Sequence, residues 1–345
     1  MIPYWLMFAL FALGAAFEQA GERRWRGALA AAFVVLALAI GLRWDVGADW
    51  PNYQRMFDYT ARIDFWRAIA IGDPGYQAFN WVANHSGGDI WMVNLAGAAI
   101  FAFGLVRFAS VQRRPWLTLL VAIPYLVIVV AMGYTRQAVA IGVLLAGLAN
   151  FIVTGRILRF AWYVVVAALF HKTAIVAFPL AAMAGPRNGL VNLLIAISVT
   201  AVLYYTFLAK DSDALIKNYV GARYSSDGAG VRVAMSLVPA MIFLAARDRF
   251  DFSDLERRLW TGFAIASIGA LILLLTLSSS TAVDRLALYL IPLQLAVGAA
   301  VPGALVRQGL GVGTVIAYAF AVQFTWLNYA THARYWVPYR NILSM

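Results

Sequence analysis

The chain is a series of apolar runs cut by short polar breaks. The runs fall near residues 2–19, 27–42, 90–108, 116–132, 136–153, 158–170, 173–184, 189–208, 231–246, 259–277, 285–305 and 309–328. A helix needs roughly 20 apolar residues to cross a hydrocarbon core about 30 Å thick, and most of the runs approach that length. The pattern predicts an all-α, polytopic membrane protein with about 11–12 transmembrane or re-entrant helices. No soluble-domain interval, linker or internal repeat interrupts the series. Residues 1–345 are therefore expected to form a single integral membrane domain, with external loops near 43–89, 209–230 and 328–345.

Basic residues punctuate the runs and set an expected orientation. Arg23, Arg24 and Arg26; Arg107, Arg113 and Arg114; Arg156 and Arg159; and Arg247, Arg249, Arg257 and Arg258 all belong on the cytoplasmic side if the N-terminus is outside. That arrangement works only if 158–184 crosses twice, as two short segments broken at His171-Lys172. Broken helices are tolerated at membrane depth where they line a protein-enclosed or watery cavity, so His171 is expected to point into a cavity on the external side. Met1 to Phe17 lacks a basic leader and is followed by Glu22-Arg23-Arg24, so it reads as a first span and not as a cleaved signal.

Composition sharpens this picture. The chain is 63% hydrophobic and 12% charged, with a mean hydropathy of +0.76, far from the soluble range. A net charge of +11 would suggest nucleic acid in a soluble protein. Here the basic residues are spread between apolar spans, which argues against a nucleic-acid partner. Arginines number 24, against the three lysines Lys172, Lys210 and Lys217; codon bias and a need for planar, phosphate-binding forks both explain that excess. Cysteine is absent, which excludes disulfides and thiolate chemistry.

Arg136, His171 and Arg285 stand at the ends of apolar runs. Ionisable groups there are costly and usually mark a substrate or ion path, which points to an anionic substrate. On the expected topology several polar motifs face outside together. They are Arg43 to Tyr53, with Gly47 permitting a turn that presents Asp49 and Tyr53; Asp73-Pro74-Gly75-Tyr76; Tyr134 to Gln137; Phe170 to Ala174; and Asp284 to Tyr289. Each residue also has a bland reading. Arg136 can snorkel at a helix end, Arg285 can pair with its neighbour Asp284, and His171 can cap a helix break. Asp49 and Tyr53 can simply shape their loop, and exposed tryptophans such as Trp66 and Trp81 can form an interfacial belt.

In order and spacing these motifs resemble the EpsG family of Wzy-like bacterial polysaccharide polymerases. The likeness lies in Gly47, Asp49 and Tyr53; the acid-Pro-Gly-aromatic element Asp73 to Tyr76; Arg136-Gln137 opening a span; His171-Lys172-Thr173-Ala174; and the late Arg285 and Tyr289. It covers nearly the whole chain and admits a GT-C-like architecture. The resemblance implies polymerisation of undecaprenyl-diphosphate-linked oligosaccharide repeat units on the outer face of the bacterial inner membrane. It also implies membrane lipid and a chain-length regulator as further partners.

For that chemistry Arg136 and Arg285 are expected to stabilise the departing diphosphate through charge-assisted forks. His171, or alternatively Asp49, is expected to accept the proton of the attacking hydroxyl. Arg43, Tyr53, Gln137, Lys172, Arg232 and Tyr289 are expected to bind substrate. No cofactor is expected, and no metal, because His85, His171 and His332 lack ligand spacing; Asp211 and Asp213 are the alternative that would hold a divalent ion. A lipid-carrier-dependent ligase or acyltransferase, and a transporter or flippase for an anionic lipid-linked glycan, are the competing readings. Transporters commonly carry repeats with charge near the midplane, whereas these charges gather at one face.

Overall fold

The computed structural model describes residues 1–18, 26–185, 189–207, 228–277 and 280–344. In chain order the helices are α1 (Ile2–Phe17), α2 (Arg26–Gly41), α3 (Trp50–Thr60), α4 (Phe65–Ala70), α5 (Pro74–His85), α6 (Ile90–Ala109) and α7 (Pro115–Ala122), which runs on as a π-helix over Ile123–Ala131. There follow α8 (Thr135–Thr154), α9 (Ile157–Phe170), a 3-10 turn (Lys172–Val176), α10 (Ala177–Met183), α11 (Gly189–Phe207), α12 (Ala229–Ala246), α13 (Asp254–Thr276), α14 (Ser280–Ala287), α15 (Ile291–Ala304) and α16 (Gln308–Tyr329). Among the described residues there is no strand, only the isolated bridges Arg43 to Asn341 and Pro302 to Val306. Among the described residues seven helical stretches are long and apolar enough to cross a membrane, and five shorter apolar ones accompany them. The protein is all-α and polytopic.

Helices are the expected solution in lipid, because each span must satisfy its own backbone polar groups. Local signals place their starts. Proline occupies the first turn of α1, α3, α5 and α7, where its missing N–H costs nothing. Ser253 and Glu256 form a reciprocal capping box at α13.

At the centre lie α8 and the α7 stretch, buried on nearly every side. α6 packs along α8 more closely than a side chain would permit: a Cβ on Gly104 would collide with the carbonyl oxygen of Gly142. This is the small-residue contact by which membrane helices bring their backbones together. Gly97 meets Val139 and Thr135, one to two turns earlier on both helices, so α6 and α8 run parallel.

Contacts between helix ends sort the molecule into two faces. At one end Arg43 reaches Asn94, Met132 and Thr135, Tyr4 reaches Trp336, and Gln137 reaches Arg285. At the other end Glu18 meets Arg114, Trp116 and Leu117, Arg113 pairs with Asp251, and Arg258 reaches Ala184. The chain therefore passes from the first face at His171 to the second at Ala184, so 157–184 does cross twice, in two short pieces. Arg107, Arg113 and Arg114, Arg156 and Arg159, and Arg247 to Arg258 share the second face. Arg23 and Arg24 lie outside the described residues.

Candidate active site

The first face gathers most of the polar residues singled out in the sequence, and the loop between α2 and α6 builds much of it. Asp73 precedes Pro74 and Gly75 at the start of α5. Gly75 lies against the ring of Phe170, where an added Cβ would sit 3.1 Å from its edge. That close approach seats the start of α5 on the end of α9, beside the break at His171. The backbone of His171 is extended there (φ −158°, ψ 110°). Its N–H closes α9 on Ala167, and its carbonyl opens the following 3-10 turn.

Asp73 is the hub of the resulting cluster. Its Oδ2 accepts from Nη1 of Arg136 at 2.7 Å and stands 4.0 Å from Nδ1 of His171. The Lys172 backbone N–H also donates to it. The Asp73 side chain is only 6% exposed, against 30% for Arg136 and 13% for His171. Burial pushes the Asp73 carboxyl above the usual carboxylate range, with Arg136 and Lys172 opposing that push. Nε2 of His171 is buried and has no hydrogen-bond partner among the described residues.

Around this hub, Tyr53 and Tyr76 stand beside Arg136, and Arg285 lies near enough to His171 for its charge to act on the ring. Gln137 donates to the Arg285 carbonyl at 2.8 Å. Tyr289 and Thr173 share a hydrogen bond of 3.1 Å between their hydroxyls. Arg136, Gln137, His171, Lys172, Arg285, Tyr289 and Tyr53 thus converge from α3, α8, the α9 break and the α14 region. The arrangement offers guanidinium forks, a hydroxyl pair and one unpartnered ring nitrogen in a partly enclosed setting.

Three expected site residues sit differently. Arg43 is fully buried. It donates from Nε to Met132 at 2.9 Å, from Nη1 to Ile40 at 2.6 Å, and from Nη2 to Thr135 at 2.7 Å and Asn94 at 3.2 Å. Its nitrogens are committed to the protein, so it ties α2, α6, α7 and α8 together, a structural role where the sequence suggested a substrate ligand. Asp49 stands at the N-cap position of α3 without a side-chain capping bond, and its carboxylate accepts from the Asn52 side chain at 3.4 Å. It makes no ion pair with Arg136, His171 or Arg285 among the described contacts, although Tyr53 and Tyr134 lie within reach of its charge.

Arg232 forms a second cluster, with Nε 2.5 Å from Oδ1 of Asp284 and with Tyr125 and Tyr134 near its charge. Asp284 therefore takes the arginine of another helix, Arg232. Asp73, Thr173 and Asp284 stand inside motifs singled out in the sequence, but the sequence reading assigned them no role in the site. The usable signal for Asp73 was an acid before Pro-Gly at a helix start, which is a capping site free to face another segment.

Among the described residues no group of three or more His, Asp or Glu side chains gathers in one place. Asp211 and Asp213 lie outside those residues, as do Lys210 and Lys217. An open groove of about 680 Å³ at the opposite face is lined by Arg247, Arg257 and Arg258 and holds none of the candidate site residues.

The protein is a multi-pass membrane protein whose polar cluster lies at one end of the helix bundle. No curated protein and no solved structure matches the chain. A model of the EpsG family matches residues 28–341, nearly the full length, and the chain belongs to the EpsG family.

Proposed function

We propose that the protein is a glycosyltransferase that polymerises undecaprenyl-diphosphate-linked oligosaccharide repeat units on the outer face of the bacterial inner membrane. The observation that carries this reading is the convergence of Arg136, His171 and Arg285 around Asp73 at one face, opposite the face that collects the basic clusters. Basic clusters favour the cytoplasmic side, which supports an outward position for the polar site. Family membership supports a polysaccharide-polymerase type of protein.

In this mechanism the acceptor hydroxyl attacks the anomeric carbon of the donor glycan. A new C–O bond forms, the bond from that carbon to the diphosphate breaks, and the electron pair leaves on the lipid diphosphate. Arg136 and Arg285 stabilise that developing charge, which forks do best where water is scarce. His171 takes the hydroxyl proton at Nε2. Thr173, Tyr289 and Gln137 hold the frame in which these groups meet.

The test is reconstitution of the purified protein in liposomes with a lipid-diphosphate oligosaccharide, followed by product sizing. A ladder of multiples is expected. Movement of the intact unit across the bilayer without growth would identify a flippase, and transfer to a different acceptor a ligase; either overturns the proposal.

A further inference from the structure

The Asp73 carboxylate serves several partners at once. It accepts Arg136 at 2.7 Å, accepts the Lys172 amide, and faces Nδ1 of His171 at 4.0 Å. The opposite ring nitrogen, Nε2, is buried with no partner among the described residues. Such a nitrogen carries a desolvation penalty that only an incoming hydrogen-bonding group relieves. Arg136 and Arg285 are the charged groups whose fields reach the ring besides Asp73, and both are cations, so only the carboxylate favours a proton on the ring.

We propose that Asp73 is the positioning residue of the site: its carboxylate turns the Nδ1 hydrogen of His171 towards itself, so that Nε2 is the basic nitrogen offered to the acceptor hydroxyl. The proposal rests on the polymerase reading and deepens it. The 4.0 Å gap is longer than a hydrogen bond. Arg136 closes it indirectly: a donor diphosphate draws the guanidinium towards itself, weakens its hold on Asp73, and frees the carboxylate to reach Nδ1. Donor binding thereby readies the base. The hydroxyl proton passes to Nε2, the imidazolium donates from Nδ1 to an Asp73 that stays ionised, and the proton later leaves with the departing diphosphate or to water.

Two variants of the full-length protein, Asp73→Asn and Asp73→Glu, test this after reconstitution. Asparagine keeps the shape and removes the charge; it is expected to lower kcat about 100-fold while donor KM changes less than about threefold. Glutamate is one methylene longer and spans the gap, so it is expected to keep kcat within about tenfold.

A second readout does not depend on turnover. The chain has 3 histidines, so ¹⁵N-imidazole NMR of labelled protein can identify His171 as the signal lost in His171→Gln. With undecaprenyl diphosphate bound, that signal is expected to show the Nδ1–H tautomer in the unsubstituted protein and with glutamate, and to lose it with asparagine. Unchanged kcat in Asp73→Asn, or a His171 tautomer indifferent to residue 73, overturns the proposal. An unsubstituted protein that makes no polymer sinks the polymerase reading instead, while the spectrum still decides the Asp73 to His171 relation.

Discussion

Nη1 of Arg136 meets Oδ2 of Asp73 at 2.7 Å, although 63 residues separate them in the chain. The contact joins the first residue pair of α8 to a helix of the long loop between α2 and α6, and it does so next to the break at His171. A snorkelling arginine would reach outward to headgroups. This one reaches across the protein surface to a buried carboxylate and remains only partly exposed.

For Arg136 the expected outcome follows from that placement. Arg136→Ala should reduce polymer formation at least about 100-fold, in the range typical for removing one anion-stabilising donor, while the amount of folded protein stays near normal. Arg136→Lys should fall between, since it keeps the charge and loses the fork. Product sizing after reconstitution reads both. Full-length polymer from the alanine variant would remove Arg136 from the chemistry.

Gln137 should matter through Arg285. Its side chain holds the Arg285 carbonyl at 2.8 Å, and Gln137→Leu leaves that carbonyl free and the arginine less well placed. A loss of about tenfold in rate is expected, smaller than for Arg285→Ala, as misplacement costs less than removal. Equal effects from the two substitutions would show that Gln137 does more than hold its partner.

Arg43 should behave in the opposite way to Arg136. Arg43→Met leaves the Met132 and Ile40 carbonyls and the Asn94 and Thr135 side chains without their donor. Stability should fall by roughly 3–5 kcal/mol, the scale for breaking a buried charged network. Thermal unfolding in detergent and yield of folded protein measure it. A stable Arg43→Met protein lacking only activity would return Arg43 to the list of substrate ligands.

At the second face Glu18 predicts a pH effect on stability. Burial lifts its carboxyl to about 7, against the pull of the Trp116 and Leu117 amides and of Arg114. A carboxyl raised on folding binds its proton more tightly in the folded protein. It therefore favours the fold fully below its unfolded pKa, and that advantage is lost as pH rises through about 7. The apparent Tm should drop between about pH 5 and pH 8, and Glu18→Gln, a standing mimic of the protonated form, should flatten the drop. An unchanged slope in the variant would assign the effect to other groups.

The spans were legible because lipid imposes one requirement on every crossing, and apolar length records it directly. The double crossing at 157–184 was also legible, since the basic clusters could share a face no other way. The site was legible only in part. Arg136, His171 and Arg285 showed themselves by being charged at run ends, but a run end does not tell where a side chain goes. Arg43 occupies the same kind of position and turns inward. A pair between Asp284 and Arg285 is the bland reading of that dipeptide, yet consecutive helical residues point about 100° apart, and Arg232 on another helix meets Asp284. The π-helix at Ile123–Ala131 has no mark in the hydropathy at all, because a wider turn changes register without changing composition.

The segment after α16 is stitched to the loop that follows α2. The Trp44 amide donates to Arg340, the Ile342 amide to Leu42 and the Gly47 amide to Tyr335, while the Trp336 indole donates to Ile128. During synthesis the arginine-bearing spans enter the bilayer well before this clasp exists. A chain halted after α15, the pass that brings in Arg285, would therefore hold the reactive groups in place along the membrane normal yet lack the brace that shapes their mouth, so closing this clasp completes the rim around them.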